Sequence, residues 1–98
     1  MKPIEFLDSS MRDIEAAQAH YHDINPALAT QFGDRLLHRL QLIQLHPRSC
    51  RKVMMQTRRA NLEIFPYALF YQEDACRILV QAVLHQSRNP GDLKRRLS

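Results

Sequence analysis

Two apolar runs joined by a short polar turn, in the last third of the chain, constrain the fold most strongly. The first run, residues 67–71, alternates with the period of two that a pleated strand requires. Residues 78–85 alternate in the same way, and residues 73–75 between the runs are polar and too few to form a helix. Pro66 cannot donate a ladder hydrogen bond, which places it at the start of a strand. The pattern therefore predicts a β-hairpin.

Strict alternation sorts the second run of this hairpin into two faces. One face holds Ile78, Val80, Ala82 and Leu84, and the other holds Arg77, Leu79, Gln81, Val83 and His85. Because the second face is half apolar, we expect a central strand that is covered over most of both sides. Leu79 and Val83 should also contribute to an exposed apolar groove, since exposed apolar patches usually mark partner sites.

The first half of the chain predicts two helices. Apolar residues recur at spacings of three and four over residues 10–22, and Ser10 and its neighbours offer N-caps. Asn25 and Pro26 suit the N-cap and the first position of a second helix, which should stop before Pro47. Because three or four residues link the two helices, we expect an antiparallel hairpin.

The remaining strands complete an α+β architecture. Residues 3–7 predict a short strand, and residues 53–55 and 58–65 predict further strands before the closing hairpin. Strands that cluster after helices indicate an α+β fold, here in one domain spanning residues 1–98. The expected arrangement is an N-terminal strand and a helical hairpin packed on one face of a small, mainly antiparallel sheet.

The chain ends in a predicted short helical turn. Asn89 is its expected cap, Asp92 suits the positive end of the helix dipole, and the basic residues 94–96 suit the negative end. Leu93 and Leu97 lie four residues apart, so we expect them to dock together on the body of the protein.

Positive charge is concentrated in the second half of the chain. Residues 1–46 carry a net charge of −2 and residues 47–98 a net charge of +6, which together give the overall +4. Eleven of the fourteen basic residues are arginine, whose planar guanidinium suits bidentate contact with carboxylate or phosphate. The second half should therefore face an acidic partner, either nucleic acid or an acidic protein segment.

Composition and spacing argue against several classes of protein. No apolar run reaches the ~20 residues that span a bilayer, and residues 1–5 lack a signal-peptide core, so we expect a cytoplasmic protein. Cys50 and Cys76 are isolated, as expected of two structural thiols in a reducing compartment. His20 and His22 match no zinc spacing, because residues two apart on a helix face different ways. We therefore expect no metal and no cofactor.

The element order and a set of residues together resemble the RelE/ParE superfamily of type II toxin–antitoxin toxins, in particular its ParE branch of plasmid stabilisation proteins. The residues that carry the resemblance are Arg58 or Arg59, Phe65-Pro66-Tyr67, Tyr71, Ala82-Val83-Leu84-His85 and Arg88-Asn89-Pro90, with Tyr21, Pro26, Ala29 and Phe32 in the helical hairpin. The resemblance covers nearly the whole chain. Leu93 departs from it, since many members carry an aromatic residue there, and the tail is expected to dock differently.

The resemblance implies a bacterial cytoplasmic toxin that a cognate, ParD-like antitoxin neutralises in a hetero-oligomer. ParE-like members poison DNA gyrase, whereas RelE-like members cleave mRNA on the ribosome. RNA cleavage needs a general acid or base beside cations that hold the scissile phosphate, and beyond His85 the chain has no His or Tyr. The favoured prediction is a gyrase-binding toxin without enzymatic activity. A ribosome-dependent mRNA endoribonuclease and an inactive, binding-only member are the alternatives.

Each predicted activity has its own candidate residues. We expect the basic C-terminal end to bind the target through His85, Arg88, Lys94, Arg95 and Arg96. We expect the open sheet face to bind the antitoxin through Leu79, Val83, Arg58 and Arg59. In the ribonuclease alternative, the catalytic set would be Arg58, Arg59, His85 and Arg88. Structural interpretations compete with these, because a lone histidine more often satisfies backbone groups and a strand arginine is often merely solvated.

Overall fold

The computed structural model describes residues 1–88 and 91–97, and Pro90 by its backbone alone. Its elements are β1 (Ile4–Phe6), α1 (Asp8–Ile24), α2 (Pro26–Leu45), β2 (Lys52–Met54), β3 (Thr57–Asn61), β4 (Tyr67–Glu73), β5 (Ile78–His85) and α3 (Pro90–Leu97). The predicted α+β architecture, with a helical hairpin between an N-terminal strand and the rest of the sheet, is confirmed.

One five-stranded sheet organises the molecule, in the order β1-β5-β4-β3-β2. The predicted hairpin is its centre, because β4 and β5 pair antiparallel from Tyr67 opposite His85 to Glu73 opposite Ile78. The N-terminal strand β1 lies parallel to β5, and every other pair of neighbours is antiparallel. The sheet is therefore mainly antiparallel, as predicted.

A β-bulge interrupts the alternation predicted for β5. Phe70 of β4 pairs with Ala82 of β5. The next pair joins Tyr71 to Val80, which leaves Gln81 as an extra residue on β5. An extra residue changes which face the following side chains occupy, so the two faces predicted from strict alternation are wrong beyond this point.

The bulge moves Val83 to the helix side of the sheet. Val83 is 2% exposed and belongs to the main core, whereas Ala82 and Leu84 belong to a separate cluster on the opposite face. The main core joins residues of both helices to the sheet: Ala17, Phe32, Leu36, Leu40, Ile43, Leu69, Tyr71, Ile78, Val80 and Val83. The prediction that the helices cover one sheet face is thus confirmed, but the prediction that Val83 lies in an open groove is wrong.

The predicted N-cap is found at the start of α2 but not at the start of α1. Asn25 caps α2 as predicted, with its Oδ1 accepting a hydrogen bond from the Ala27 N–H at 3.0 Å. At the start of α1 the cap position is Leu7, which has no capping side chain. Ser10 instead lies buried inside the first turn, where its hydroxyl donates to the Leu7 carbonyl at 2.7 Å.

The predicted strand over residues 58–65 ends early, at Asn61. Ile64 has a φ of 74°, in the left-handed region that β-branched residues avoid, and its side chain is 74% exposed. The alternation of Leu62, Glu63 and Ile64 therefore belongs to an irregular loop, because no extended strand can pass through that backbone conformation.

The C-terminal helix α3 packs on the sheet face opposite the helical hairpin. Leu93 contacts the buried cluster of that face, which consists of Ala68, Phe70, Ala82 and Leu84. Docking by Leu93 is as predicted, but the same contact contradicts the expected exposed apolar groove, since these sheet residues are covered. The predicted cap, Asn89, lies outside the described residues.

Candidate functional site

A groove of about 420 Å³ lies on the sheet face that carries α3, and we call it the basic groove. Its apolar residues are Val53, Ala68, Phe70, Leu84 and Leu93. Its basic residues are Arg51, Lys52, Arg59 and Arg88, with His85 at one end. The loop before β2, strands β2 and β3 and the segment after β5 supply these basic groups, so residues far apart in the sequence meet at one opening. An opening lined in this way can hold an anionic partner.

The paired arginines of β3 have different roles. Arg59 faces the basic groove, where its Cζ lies 5.8 Å from the centre of the Phe70 ring. Arg58 faces the other way, and its Nη1 donates to the Cys50 carbonyl at 2.6 Å and to the Arg48 carbonyl at 3.4 Å. Arg58 therefore fixes the loop between α2 and β2, whereas Arg59 is the one of the two that lines the basic groove.

His85 and Tyr67 form a second, smaller cavity beside the basic groove. Their ring centres are 5.2 Å apart in an edge-to-face arrangement, because the two residues are paired across β4 and β5. The cavity has a volume of about 130 Å³, and Arg88 and Asp13 also line it. His85 and Arg88 thus belong to both openings. From the sequence, Tyr67 is expected only to pack at the core or the groove edge; its pairing opposite His85 is what adds it to this site.

The hydrogen bonds of these residues limit their chemistry. The Nδ1 of His85 accepts from the Ser87 N–H at 3.0 Å, which puts the proton of a neutral His85 on Nε2. Burial raises the pKa of Tyr67, and the nearby positive charge of Arg88 partly opposes that rise. At neutral pH the phenol is therefore protonated, as a hydrogen-bond donor rather than a base.

The predicted target-binding cations do not converge on one site. Arg88 is exposed at the basic groove, whereas the guanidinium of Arg96 contacts both oxygens of Asp13, at 2.7 and 3.1 Å. Arg95 pairs with Asp92 one turn earlier in α3. Arg96 is therefore an anchor of α3 to α1, whereas Arg88, like His85, lines the basic groove.

The bulge in β5 removes one of the predicted antitoxin contacts. Val83 is buried under the helices, so no partner can reach it while the fold is intact. Leu79 is half-buried and pairs with Gln72, in a polar part of the sheet. There Thr57 donates to Gln81 at 2.8 Å, and Gln81 donates to Gln72 at 3.4 Å. Leu79 precedes the bulge and keeps the predicted face opposite Ile78 and Val80, where its neighbours are polar.

The cysteines and histidines provide little further chemistry. Cys50 is buried and its Sγ accepts from Arg39 Nη2 at 3.4 Å, as a structural thiol, whereas Cys76 is exposed. Both are free. Within residues 1–88 and 90–97, no three His, Cys, Asp or Glu side chains come together as a metal site would require. Over the same residues, no helix has the length and apolar character needed to cross a membrane.

The fold has a counterpart among solved structures. The structure resembles one described as the chromosomal ParDE toxin–antitoxin system from P. aeruginosa, with a TM-score of 0.76 and 16% sequence identity. The match covers 87% of this chain and 96% of that one. A comparison with curated proteins finds no match.

The family model described as the ParE toxin of the type II toxin–antitoxin system, parDE, matches residues 4–90. The chain belongs to this family. The assignment confirms the predicted membership of the RelE/ParE superfamily and of its ParE-like branch.

Proposed function

We propose that this protein is a cytoplasmic toxin that arrests bacterial growth by binding and poisoning DNA gyrase. The observation that carries the proposal is the family match over residues 4–90. The basic groove supports it. Its exposed cations make no ion pair within the described chain, so they contribute little to the stability of the fold and are available to bind a target.

In this proposal the target-binding residues lie at the C-terminal end of β5 and beyond. Arg88 is the central contact and His85 lies beside it. Lys94 and Arg95, which are exposed on α3, extend the surface. Loss of one interfacial arginine can cost ~2 kcal/mol of binding free energy, which is roughly a thirtyfold loss of affinity. Arg88→Ala should therefore relieve growth arrest without unfolding the protein, and Arg88→Lys should retain part of the toxicity.

We further propose that a cognate antitoxin neutralises the toxin in a hetero-oligomer. The face that carries Arg59 and Leu79 is its binding surface, since an added helix or strand there would cover both residues and the groove between β3 and α3. Because Arg88 lies at the edge of this face, the Arg88→Ala variant should still co-purify with the antitoxin. The small reading frame beside the toxin gene would supply the partner for this test.

The experiment that separates gyrase poisoning from RNA cleavage is induction of the toxin in cells. Gyrase poisoning predicts that plasmids extracted after induction lose negative supercoiling while total mRNA stays intact. Intact supercoiling with fragmented mRNA would refute the proposal.

One observation favours ribosome-dependent RNA cleavage as a second candidate function. Tyr67 lies beside His85 and Arg88 in the small cavity, so a phenol, an imidazole and a guanidinium meet at one place. These groups can act as general acid, general base and phosphate ligand in the cleavage of a phosphodiester. Under this alternative, Tyr67→Phe abolishes mRNA fragmentation and leaves the fold intact. Under gyrase poisoning it changes toxicity little.

A further inference from the structure

The basic groove concentrates positive charge without neutralising acids. Of the described residues that line it, four are Arg or Lys and none is Asp or Glu. Arg51, Lys52 and Arg88 are exposed, and no ion pair joins them to any residue in the described part of the chain. Long cationic side chains arranged around an open groove suit an extended polyanion.

The floor of the groove distinguishes between polyanions. Ala68, Phe70 and Leu84 are 1%, 5% and 4% exposed, so the floor itself offers a peptide little apolar surface, and Val53, 37% exposed, is the most open apolar side chain of the groove. The Arg59 guanidinium already covers the Phe70 ring, which leaves no open aromatic face for an unpaired base. The groups most open to a ligand are therefore the basic side chains at the rim. These suit phosphate groups better than nucleobases or the apolar side chains of a peptide.

We propose that the basic groove binds the phosphate backbone of duplex DNA, so that the toxin docks on gyrase that already holds DNA. The duplex presents one negative charge about every 1.7 Å along its axis, dense enough to meet several clustered cations at once. Because the floor offers no base-reading group, this binding is independent of DNA sequence. That the DNA is gyrase-bound rests on the proposed function. That the groove binds a phosphate backbone rests on the residues of the groove alone.

The test measures binding of the purified full chain to a fluorescent DNA duplex as the salt concentration is varied. Four phosphate contacts predict a slope of log K against log salt of about −3.6, with a Kd on the order of 10⁻⁴–10⁻⁶ M at physiological salt. The triple variant Arg51→Gln, Lys52→Gln, Arg88→Gln should reduce the slope to about −0.9, since it leaves one contact. Arg59 is retained because it packs on Phe70.

A matched control separates the groove from net charge. Arg12→Gln, Arg35→Gln, Arg77→Gln removes the same three charges from positions that do not line the groove. This control should keep a slope near that of the wild type. Equal losses in the two triple variants would overturn the inference, because binding would then follow net charge alone. Circular dichroism establishes that both variants are folded.

Two further probes test the choice of ligand. Single-stranded RNA of equal length should bind more weakly than the duplex, and polyglutamate should compete poorly. Tighter binding of RNA, or displacement of DNA by polyglutamate at equal charge, would overturn the assignment to duplex DNA.

Gyrase supercoiling assays on the same variants separate this inference from the proposed function. DNA binding through the groove by a toxin that leaves gyrase unaffected would refute the proposed function and leave the DNA site standing. Inhibition of gyrase by a toxin that binds no DNA would overturn this inference alone.

Discussion

Asp13 is the residue that ties the C-terminal helix to the rest of the molecule. Its Oδ2 accepts the Val83 N–H at 3.0 Å, just beyond the bulge in β5, and its two oxygens bind the Arg96 guanidinium. The Asp13 and Arg96 side chains are only 15% and 26% exposed, so water screens this pair less than a surface ion pair. One carboxylate of α1 thus holds both β5 and α3.

Asp13→Ala should lower the free energy of unfolding by about 2–3 kcal/mol, because it leaves the Val83 amide and the Arg96 guanidinium without their acceptor. Asp13→Asn keeps one acceptor oxygen and should lose less. Urea denaturation of each variant measures the change. Glu15→Ala, an exposed position on the same helix, is the control and should stay within about 0.5 kcal/mol of the wild type. Equal, small losses at both positions would contradict the anchoring role.

Glu73 makes stability depend on pH in the acid range. Hydrogen bonds from Lys2 at 2.9 Å and Arg48 at 3.1 Å hold the pKa of Glu73 below its usual value of 4.5. A lowered pKa in the folded state means that the carboxylate stabilises the fold above pH 4.5, and that this stabilisation is lost as the pH falls through the folded-state pKa.

Glu73→Gln should therefore cost about 1 kcal/mol of unfolding free energy at pH 7, since it removes the charge from two hydrogen-bonded pairs. As the pH falls through the folded-state pKa of Glu73, the wild-type carboxyl also loses its charge, and the two proteins should converge. Urea midpoints measured over a series of decreasing pH values test this. A difference that does not shrink in acid would assign the loss to packing instead of charge.

At the scale of elements, the sequence predicted what depends on local patterns. The two helices, the Asn25 cap and the β4–β5 hairpin all follow from periodicity and turn residues. The bulge at Gln81 could not be predicted, because it shifts the pairing of two strands and leaves no mark in the alternation of β5 itself. That shift brings Val83 to the helix side of the sheet, so this one of the predicted antitoxin contacts lies in the core.

The candidate site was predictable to a similar extent. Local charge and position identified His85 and Arg88, which do share an opening. The sequence could not identify Tyr67 as their neighbour, since that contact depends on strand register. Nor could it separate Arg88 from Arg96, because only the docking of α3 brings Arg96 to Asp13.

The helix α3 protects the apolar cluster of the outer sheet face through Leu93. Leu93→Ala should lower the free energy of unfolding by about 1–2 kcal/mol, because the leucine is half-buried, and should expose Phe70 and Leu84. Thermal unfolding and the fluorescence of a hydrophobic dye report the two effects. Leu37→Ala, at a position that is 56% exposed on α2, should change neither. If dye binding does not rise for Leu93→Ala, α3 is not what covers this face.

At the scale of the whole molecule, the two halves of the chain differ in charge and in role. The helical hairpin comes from the half with a net charge of −2, and its apolar residues pack against the sheet in the main core. The half with a net charge of +6 supplies β2 to β5 and α3, and with them the basic groove. A field of one sign over one face speeds encounter with a polyanionic target and weakens with salt.

The most direct test of the gyrase assignment is the supercoiling activity of purified gyrase, titrated with purified toxin. We predict that the wild-type chain inhibits supercoiling and that the triple variant Arg51→Gln, Lys52→Gln, Arg88→Gln needs at least a tenfold higher concentration, as expected from the loss of about 1.4 kcal/mol or more of binding free energy. The control with Arg12, Arg35 and Arg77 changed to Gln should inhibit like the wild type. Full supercoiling activity at saturating wild-type toxin would contradict the account.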